Sequence, residues 1–290
     1  MEQTVSRPKK KKSRISEIWR QLKKNRIAVV AMFVFIAIVL VAIFAPFIAP
    51  HSYDTQNPRA SFAPPSREYP LGTDRLGRDV LSRLIYGSRQ SLQLGLISVA
   101  ISAVSGIAIG SIAGYFGGWT DNLIMRFLDI YQAIPMLLLC ITLAAILGPS
   151  LRNAILAIGI ASIPGNARLM RASILSVRET EYIEAARAIN ASSFRIILKH
   201  IIPNAIAPMI VNITMGIGGM VLYGATLSYI GLGVQPPTPE WGSMISEARN
   251  YMRDHATLAL YPGICVIITV LSLNLLGDGL RDALDPRLKN

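Results

Sequence analysis

Long apolar blocks that are nearly free of charge constrain this chain more than any other feature of its sequence. A helix needs about 20 consecutive apolar residues to cross the hydrocarbon core of a bilayer, so blocks of this length predict membrane spans. We therefore predict an all-α integral membrane protein with six transmembrane helices. The predicted spans cover residues 27–47, 92–115, 123–147, 152–170, 205–230 and 258–277.

The lysines lie outside these blocks. The formal net charge is +12, which by itself would also suit a nucleic-acid partner. All eight lysines, however, flank the predicted spans, and four of them stand together at residues 9–12. Basic residues beside a span favour the cytoplasmic side of the membrane. We therefore expect no nucleic-acid partner and predict that residues 1–26 form a basic cytoplasmic tail.

The predicted spans divide the rest of the chain between the two sides of the membrane. An even number of spans places both chain ends in the cytoplasm, including a short tail over 280–290. The segment 48–89 is then extracytoplasmic, and 90–279 forms a core of five spans. Within that core, the polar segment 171–204 faces the cytoplasm.

The composition of the spans excludes several kinds of chemistry. An ion-coupled transporter or an intramembrane hydrolase needs ionisable residues within the bilayer. The predicted spans are almost free of charge, and Arg126 and Asp129 lie near the cytoplasmic end of the third span rather than at its centre. A phosphate-binding loop needs a Gly-Lys pair, which the sequence lacks. Cys140 and Cys265 lie inside apolar blocks, and the three histidines show no metal-ligand spacing. We expect no catalytic residue, metal site or cofactor in this chain, so the energy for any transport must come from a partner.

The second predicted span carries small residues at four-residue spacing. In lipid, helices associate by close packing, and such a ridge therefore marks a helix–helix contact. The partner helix belongs either to this chain or to a second membrane-spanning chain. The ridge consists of Ser98, Ser102, Gly106, Gly110 and Gly114.

The polar segment 171–204 has the pattern of two short helices. Thr180 suits the N-cap position of a helix whose first turn contains Glu184, where the helix dipole favours an anion. Residues 190–192 interrupt the pattern, and a second helix runs towards Pro203. We predict a protruding, alanine-tipped knob that enters a groove on another protein.

This segment resembles the EAA coupling loop of ABC importer permeases, which docks on the ATPase subunit. The positions that match the loop are Glu184, Ala185, Ala186, Asn190, Ile202 and Pro203. Asn190 stands where the family has glycine. Asparagine is the next most tolerant residue in a left-handed backbone, so we expect the turn to form.

The resemblance extends over nearly the whole chain. Residues 71–79, 114–121, 228–233 and 282–287 are similar to the dipeptide, oligopeptide and nickel branch of these permeases, and in particular to its second, C-type subunit. The resemblance implies a type I ABC importer permease fold with an extra N-terminal span. It also implies transport of dipeptides or oligopeptides across the cytoplasmic membrane.

The resemblance further implies a set of partners. These are a second permease subunit in a heterodimer, one or two ABC ATPases that bind ATP and Mg²⁺, an extracytoplasmic substrate-binding protein and membrane lipid.

A permease for nickel or another small solute is the nearest alternative. An ion-coupled secondary transporter and a non-transport scaffold are alternatives of a different class. The sequence alone does not identify the substrate-binding residues.

Overall fold

A computed structural model describes residues 14–284, and every regular element in that part of the chain is helical. The residues 1–13 and 285–290 of the two predicted tails lie outside the described part. The helices are α1 Arg14–Leu22, α2 Arg26–Ile43, α3 Ala45–Ile48, α4 Val80–Phe116, α5 Gly118–Gln132, α6 Met136–Leu147, α7 Leu151–Ala161, α8 Ile163–Leu175, α9 Glu181–Ala188, α10 Ser193–Ile196, α11 Ile202–Ala205, α12 Ala207–Tyr229, α13 Trp241–Ala248 and α14 Thr257–Leu284.

Four of these helices, α2, α4, α12 and α14, are long and apolar enough to cross a membrane. Helices α5 and α6 would make a fifth span if they are taken as one broken element. The predicted fourth span, 152–170, is divided between α7 with 11 residues and α8 with 13, and neither is long enough to cross alone. The structure thus carries four or five apolar spans by length and composition, against the six predicted.

Helix α4 is longer than predicted. The predicted span covers 92–115, but one unbroken helix of 37 residues begins at Val80. Asp79 caps its first turn, because the Asp79 Oδ2 atom accepts hydrogen bonds from the Ser82 amide at 2.8 Å and from the Ser82 hydroxyl at 2.6 Å. At 1.5 Å per residue the helix is about 55 Å long. It therefore extends beyond the hydrocarbon core.

The predicted third span is broken. Helices α5 and α6 meet at an angle of 81°, with Pro135 directly before the first residue of α6. Proline has no amide hydrogen and disfavours helical geometry in the residue before it, here Ile134. Helices α7 and α8 are also separate, and they join at Ser162, two residues before Pro164. Proline at these two joints gives the same physical reason for both interruptions.

The small-residue ridge of α4 packs within the subunit. A Cβ atom added to Gly106 would lie 2.4 Å from the Asn166 Cβ, and one added to Gly110 would lie 2.3 Å from the Ala167 carbonyl oxygen, both on α8. At the other end of the ridge, the Ser98 hydroxyl donates to the carbonyl of Ile155 on α7 at 3.1 Å. The small side chains let α4 approach α7 and α8 closely, so these ridge residues pack within the chain itself.

A compact cap closes the bundle at the first end of α4. We define the cap as residues 48–79 together with α13, which lies between the predicted spans 205–230 and 258–277. The Arg83 guanidinium is buried and donates to both carboxylate oxygens of Glu247, at 3.1 and 3.2 Å. Arg78 pairs with Asp74 at 2.6 Å and also contacts Glu247. This ion-pair cluster ties the cap segment, α4 and α13 together.

Candidate coupling segment and transmembrane cavity

The coupling segment, which we define as residues 176–205, contains the two short helices expected from the sequence. Helix α9 begins at Glu181, directly after Thr180. The Thr180 hydroxyl donates to the Val177 carbonyl at 2.7 Å, so its side chain does not cap the helix as predicted. After α10 the chain forms a π-helical turn over Ile197–Ile201 and continues through α11 into α12.

Asn190 has the backbone conformation for which glycine is usually chosen. Its φ angle is +57°, and its amide donates to the Arg187 carbonyl at 2.9 Å. The next amide, that of Ala191, donates to the Ala186 carbonyl at 3.2 Å. The turn between α9 and α10 is therefore closed with asparagine at this position, since asparagine tolerates the left-handed region better than most residues.

The structure separates the predicted coupling residues into exposed and buried positions. Glu184 and Ala185 are exposed, whereas Ala186 is only 6% exposed. Ala186 belongs to a buried cluster with Met170 and Ile174 of α8 and with other apolar residues of the segment. Pro203 is exposed near α1 and the end of α14, beside half-buried Ile202. The six predicted residues thus do not share one accessible face.

Large apolar side chains of the coupling segment are exposed, and the sequence reasoning missed them. Ile189 is 80% exposed and Phe194 73% exposed, in the same two-helix unit as Glu184 and Ala185. Apolar residues at the ends of short helices in a polar segment were the available signal. Exposed apolar side chains rimmed by polar residues are typical of a protein–protein contact.

The coupling segment is anchored to α4, and the helix that precedes it is paired with α5. The Arg178 guanidinium donates to the Gly114 carbonyl in the last turn of α4 at 3.0 Å. Just before the segment, Arg171 of α8 makes a two-pronged pair with Asp121 of α5, with both distances 2.5 Å. Two-pronged arginine–carboxylate pairs fix orientation as well as distance. The segment is therefore bonded to the end of α4, and it follows a helix, α8, that is fixed to α5.

A cavity of about 500 Å³ opens where the two broken helix pairs meet α12. Its hydrogen-bonding side chains are all uncharged. They are Tyr131, Gln132, Ser162, Asn166, Asn212 and Tyr223. The cavity is assembled from residues that are far apart in sequence, which is why the sequence did not reveal it.

Of the two ionisable residues predicted near the third span, Asp129 forms an ion pair. The Asp129 carboxylate pairs with Arg168 of α8 at 2.5 Å, and both side chains are partly exposed. Among residues 14–284, no three His, Cys, Asp or Glu side chains come close enough together to hold a metal ion.

Comparisons with known proteins agree with these features. Residues 106–290 match the family described as binding-protein-dependent transport system inner membrane component. Residues 13–65 match the N-terminal transmembrane domain of oligopeptide transport permease C.

Curated relatives resemble the chain along almost its whole length. The dipeptide transport system permease protein of Alkalihalophilus pseudofirmus is 46% identical over 94% of this chain and 90% of its own length. The corresponding protein of Haemophilus influenzae is 44% identical over 96% of each chain. A glutathione transport system permease protein of Escherichia coli is 43% identical over 94% of this chain and 90% of its own.

Solved structures share the fold at low sequence identity. The inward-facing methionine ABC transporter MetNI has a chain that matches with a TM-score of 0.59 at 21% identity, covering 71% of this chain and 97% of that one. An amino acid ABC transporter matches with a TM-score of 0.54 at 16% identity, covering 69% of this chain and 94% of that one. The resemblance predicted from the sequence is confirmed: the chain belongs to the family of binding-protein-dependent transport system inner membrane components, the permease subunits of ABC transporters.

Proposed function

We propose that this chain is the C-type permease subunit of an ATP-driven importer that carries dipeptides or oligopeptides across the cytoplasmic membrane. The coupling segment carries the proposal. It presents a helix with exposed Glu184 and Ala185 beside exposed apolar side chains, and it is anchored through Arg178 to the longest helix. The peptide substrate is supported by relatives that are named for dipeptides and for glutathione, which is itself a tripeptide.

The proposal includes the partners that the family implies. A second permease subunit forms the other half of the translocation pathway, and one or two ATPase subunits bind the coupling segment. ATP and Mg²⁺ are held by those ATPases and not by this chain. A substrate-binding protein delivers the peptide from outside, and lipid surrounds the exposed apolar helices.

We also propose a topology of six spans in which α2 is an additional N-terminal span. Helices α7 and α8 together make the fourth span, interrupted at Ser162. Both chain ends and the coupling segment face the cytoplasm, while residues 48–89 face outside. This sidedness is supported by the flanking lysines and by one cavity, which brings α1, Pro203 and the end of α14 together.

The test is uptake by the reconstituted transporter. The chain is purified with its partner permease and ATPases, placed in liposomes and supplied with the binding protein and a labelled dipeptide. We expect uptake only when ATP is present on the side of the liposome membrane that carries the ATPase subunits. We expect no ATP hydrolysis by this chain alone. Uptake driven by a proton or sodium gradient without ATP, or ATP hydrolysis by the isolated chain, contradicts the proposal.

A further inference from the structure

The cavity between the two broken helix pairs and α12 has a fixed arrangement of neutral hydrogen-bonding groups. The Asn212 side-chain amide donates to the Asn166 Oδ1 atom at 2.7 Å, and the Asn166 amide donates to the Ser102 hydroxyl at 3.0 Å. Asn166 and Ser102 are buried, whereas Asn212 is exposed. The chain of hydrogen bonds therefore holds the exposed amide of Asn212 in one orientation at the cavity wall.

The Asn212 side chain has hydrogen-bonding capacity that the protein does not use. Its amide nitrogen is bonded to Asn166, whereas its carbonyl oxygen accepts no hydrogen bond from residues 14–284. Because Asn212 is exposed at the cavity wall, this oxygen can accept a hydrogen bond from a molecule in the cavity.

Two glycines leave space in the same cavity. A Cβ atom added to Gly165 or to Gly219 would meet no atom within 4 Å, unlike one added to the ridge glycines of α4. Neither residue has a positive φ angle. Glycine inside a helix costs about 1 kcal/mol relative to alanine. Neither a positive φ angle nor close helix packing requires glycine at these two positions. A larger side chain at either position would project into open space and narrow the cavity.

We propose that this cavity receives the main chain of the peptide in transit, with the side chain of Asn212 as a hydrogen-bonding contact. Gly165 and Gly219 set the width available to the peptide side chains. This inference rests on the proposed import function. Every peptide presents both N–H donors and C=O acceptors, and amide and hydroxyl groups can pair with either. A wall without charge binds these groups without selecting peptides by the charge of their side chains.

The first experiment narrows the cavity in the complete transporter. Gly219→Leu is compared with Gly263→Leu, a change in α14 at which an added Cβ also meets no atom within 4 Å. The probes are labelled dialanine and diphenylalanine, taken up into liposomes with ATP and binding protein. We expect Gly219→Leu to lower diphenylalanine uptake about tenfold more than dialanine uptake, and Gly263→Leu to leave their ratio unchanged. An unchanged ratio in Gly219→Leu overturns the assignment of this position.

The second experiment changes the charge of the cavity wall. Asn212→Asp and Asn212→Lys are tested for uptake of one acidic and one basic dipeptide. The comparison uses variant transporters whose ATPase is stimulated by the binding protein as strongly as that of the parent. We expect opposite shifts of about tenfold in the acidic-to-basic uptake ratio, because a nearby fixed charge attracts one probe and repels the other. A general loss of folding cannot produce opposite shifts.

The outcomes separate the two proposals. If the parent transporter takes up no peptide with ATP, the proposed function fails. If the parent takes up peptides but both Asn212 variants keep the parental acidic-to-basic ratio, the function stands and the cavity assignment fails.

Discussion

Adjacent alanines in α9 provide a direct test of the coupling segment. Ala185 is exposed, and Ala186 is 6% exposed within the apolar cluster beneath the helix. Substituting glutamate at either position adds the same side chain to the same helix. The two variants therefore separate an effect on docking from an effect on folding.

The expected magnitudes follow from burial. At Ala186 a glutamate adds volume to a packed cluster, at about 1–3 kcal/mol, and leaves a polar group without a partner, at about 1–3 kcal/mol or more. The sum, several kcal/mol, is a large part of the stability of an ordinary domain. At Ala185 the same substitution meets solvent and is expected to change stability by no more than about 0.5 kcal/mol.

The assay measures assembly, stability and transport in parallel. We expect Ala185→Glu to insert and unfold at the parental temperature but to lose the co-purifying ATPase and peptide uptake, because a charged side chain then lies in the docking contact. Ala186→Glu is expected to unfold at a lower temperature. If Ala185→Glu retains the parental amounts of ATPase and uptake, Ala185 is not part of the contact.

Three further predictions concern other parts of the fold. Because Asn190 has a φ angle of +57°, Asn190→Gly should keep parental ATPase binding, whereas Asn190→Val should lower the unfolding temperature by the equivalent of about 1–2 kcal/mol; equal thermal stability of the two variants would contradict this. Gly110→Ala places a Cβ 2.3 Å from a backbone oxygen of α8 and should lower the unfolding temperature, while Gly263→Ala should not; a stable Gly110→Ala protein would show that α4 and α8 do not pack as described. In a background without the two native cysteines, an impermeant thiol reagent added to intact cells should label exposed Asn250→Cys but not exposed Ser192→Cys; the reverse labelling would refute the proposed sidedness.

The parts of the fold that depend on local chemistry were predictable from the sequence. The second and third spans were predicted to be separated by residues 116–122, and Gly117 and Gly118 adopt positive φ angles there. The start of α9 after Thr180 and the break at Asn190 were also visible, because they depend on helix termini and on left-handed backbone. The apolar lengths of α2, α12 and α14 gave these helices to within a few residues, apart from the last turns of α14.

The remaining features depend on tertiary packing. Pro135 was visible, but the 81° bend at this position depends on how α5 and α6 pack on their neighbours. An eight-residue helix has too few turns to show which of Ala185 and Ala186 faces inward. The cavity joins residues near positions 131, 166 and 212, and no local pattern links positions so far apart.

The single unbroken helix α4 connects the cap to the coupling segment. One end carries the buried Arg83 in the ion-pair cluster of the cap, and the other presents the Gly114 carbonyl to Arg178 of the coupling segment. Over its length of about 55 Å, a tilt of about 5° about one end displaces the other by about 5 Å. Helix pairs α5–α6 and α7–α8 have joints at the level of the cavity and can bend there. If α4 stays straight, a small tilt is therefore enough to move the coupling segment by several ångströms relative to the cap.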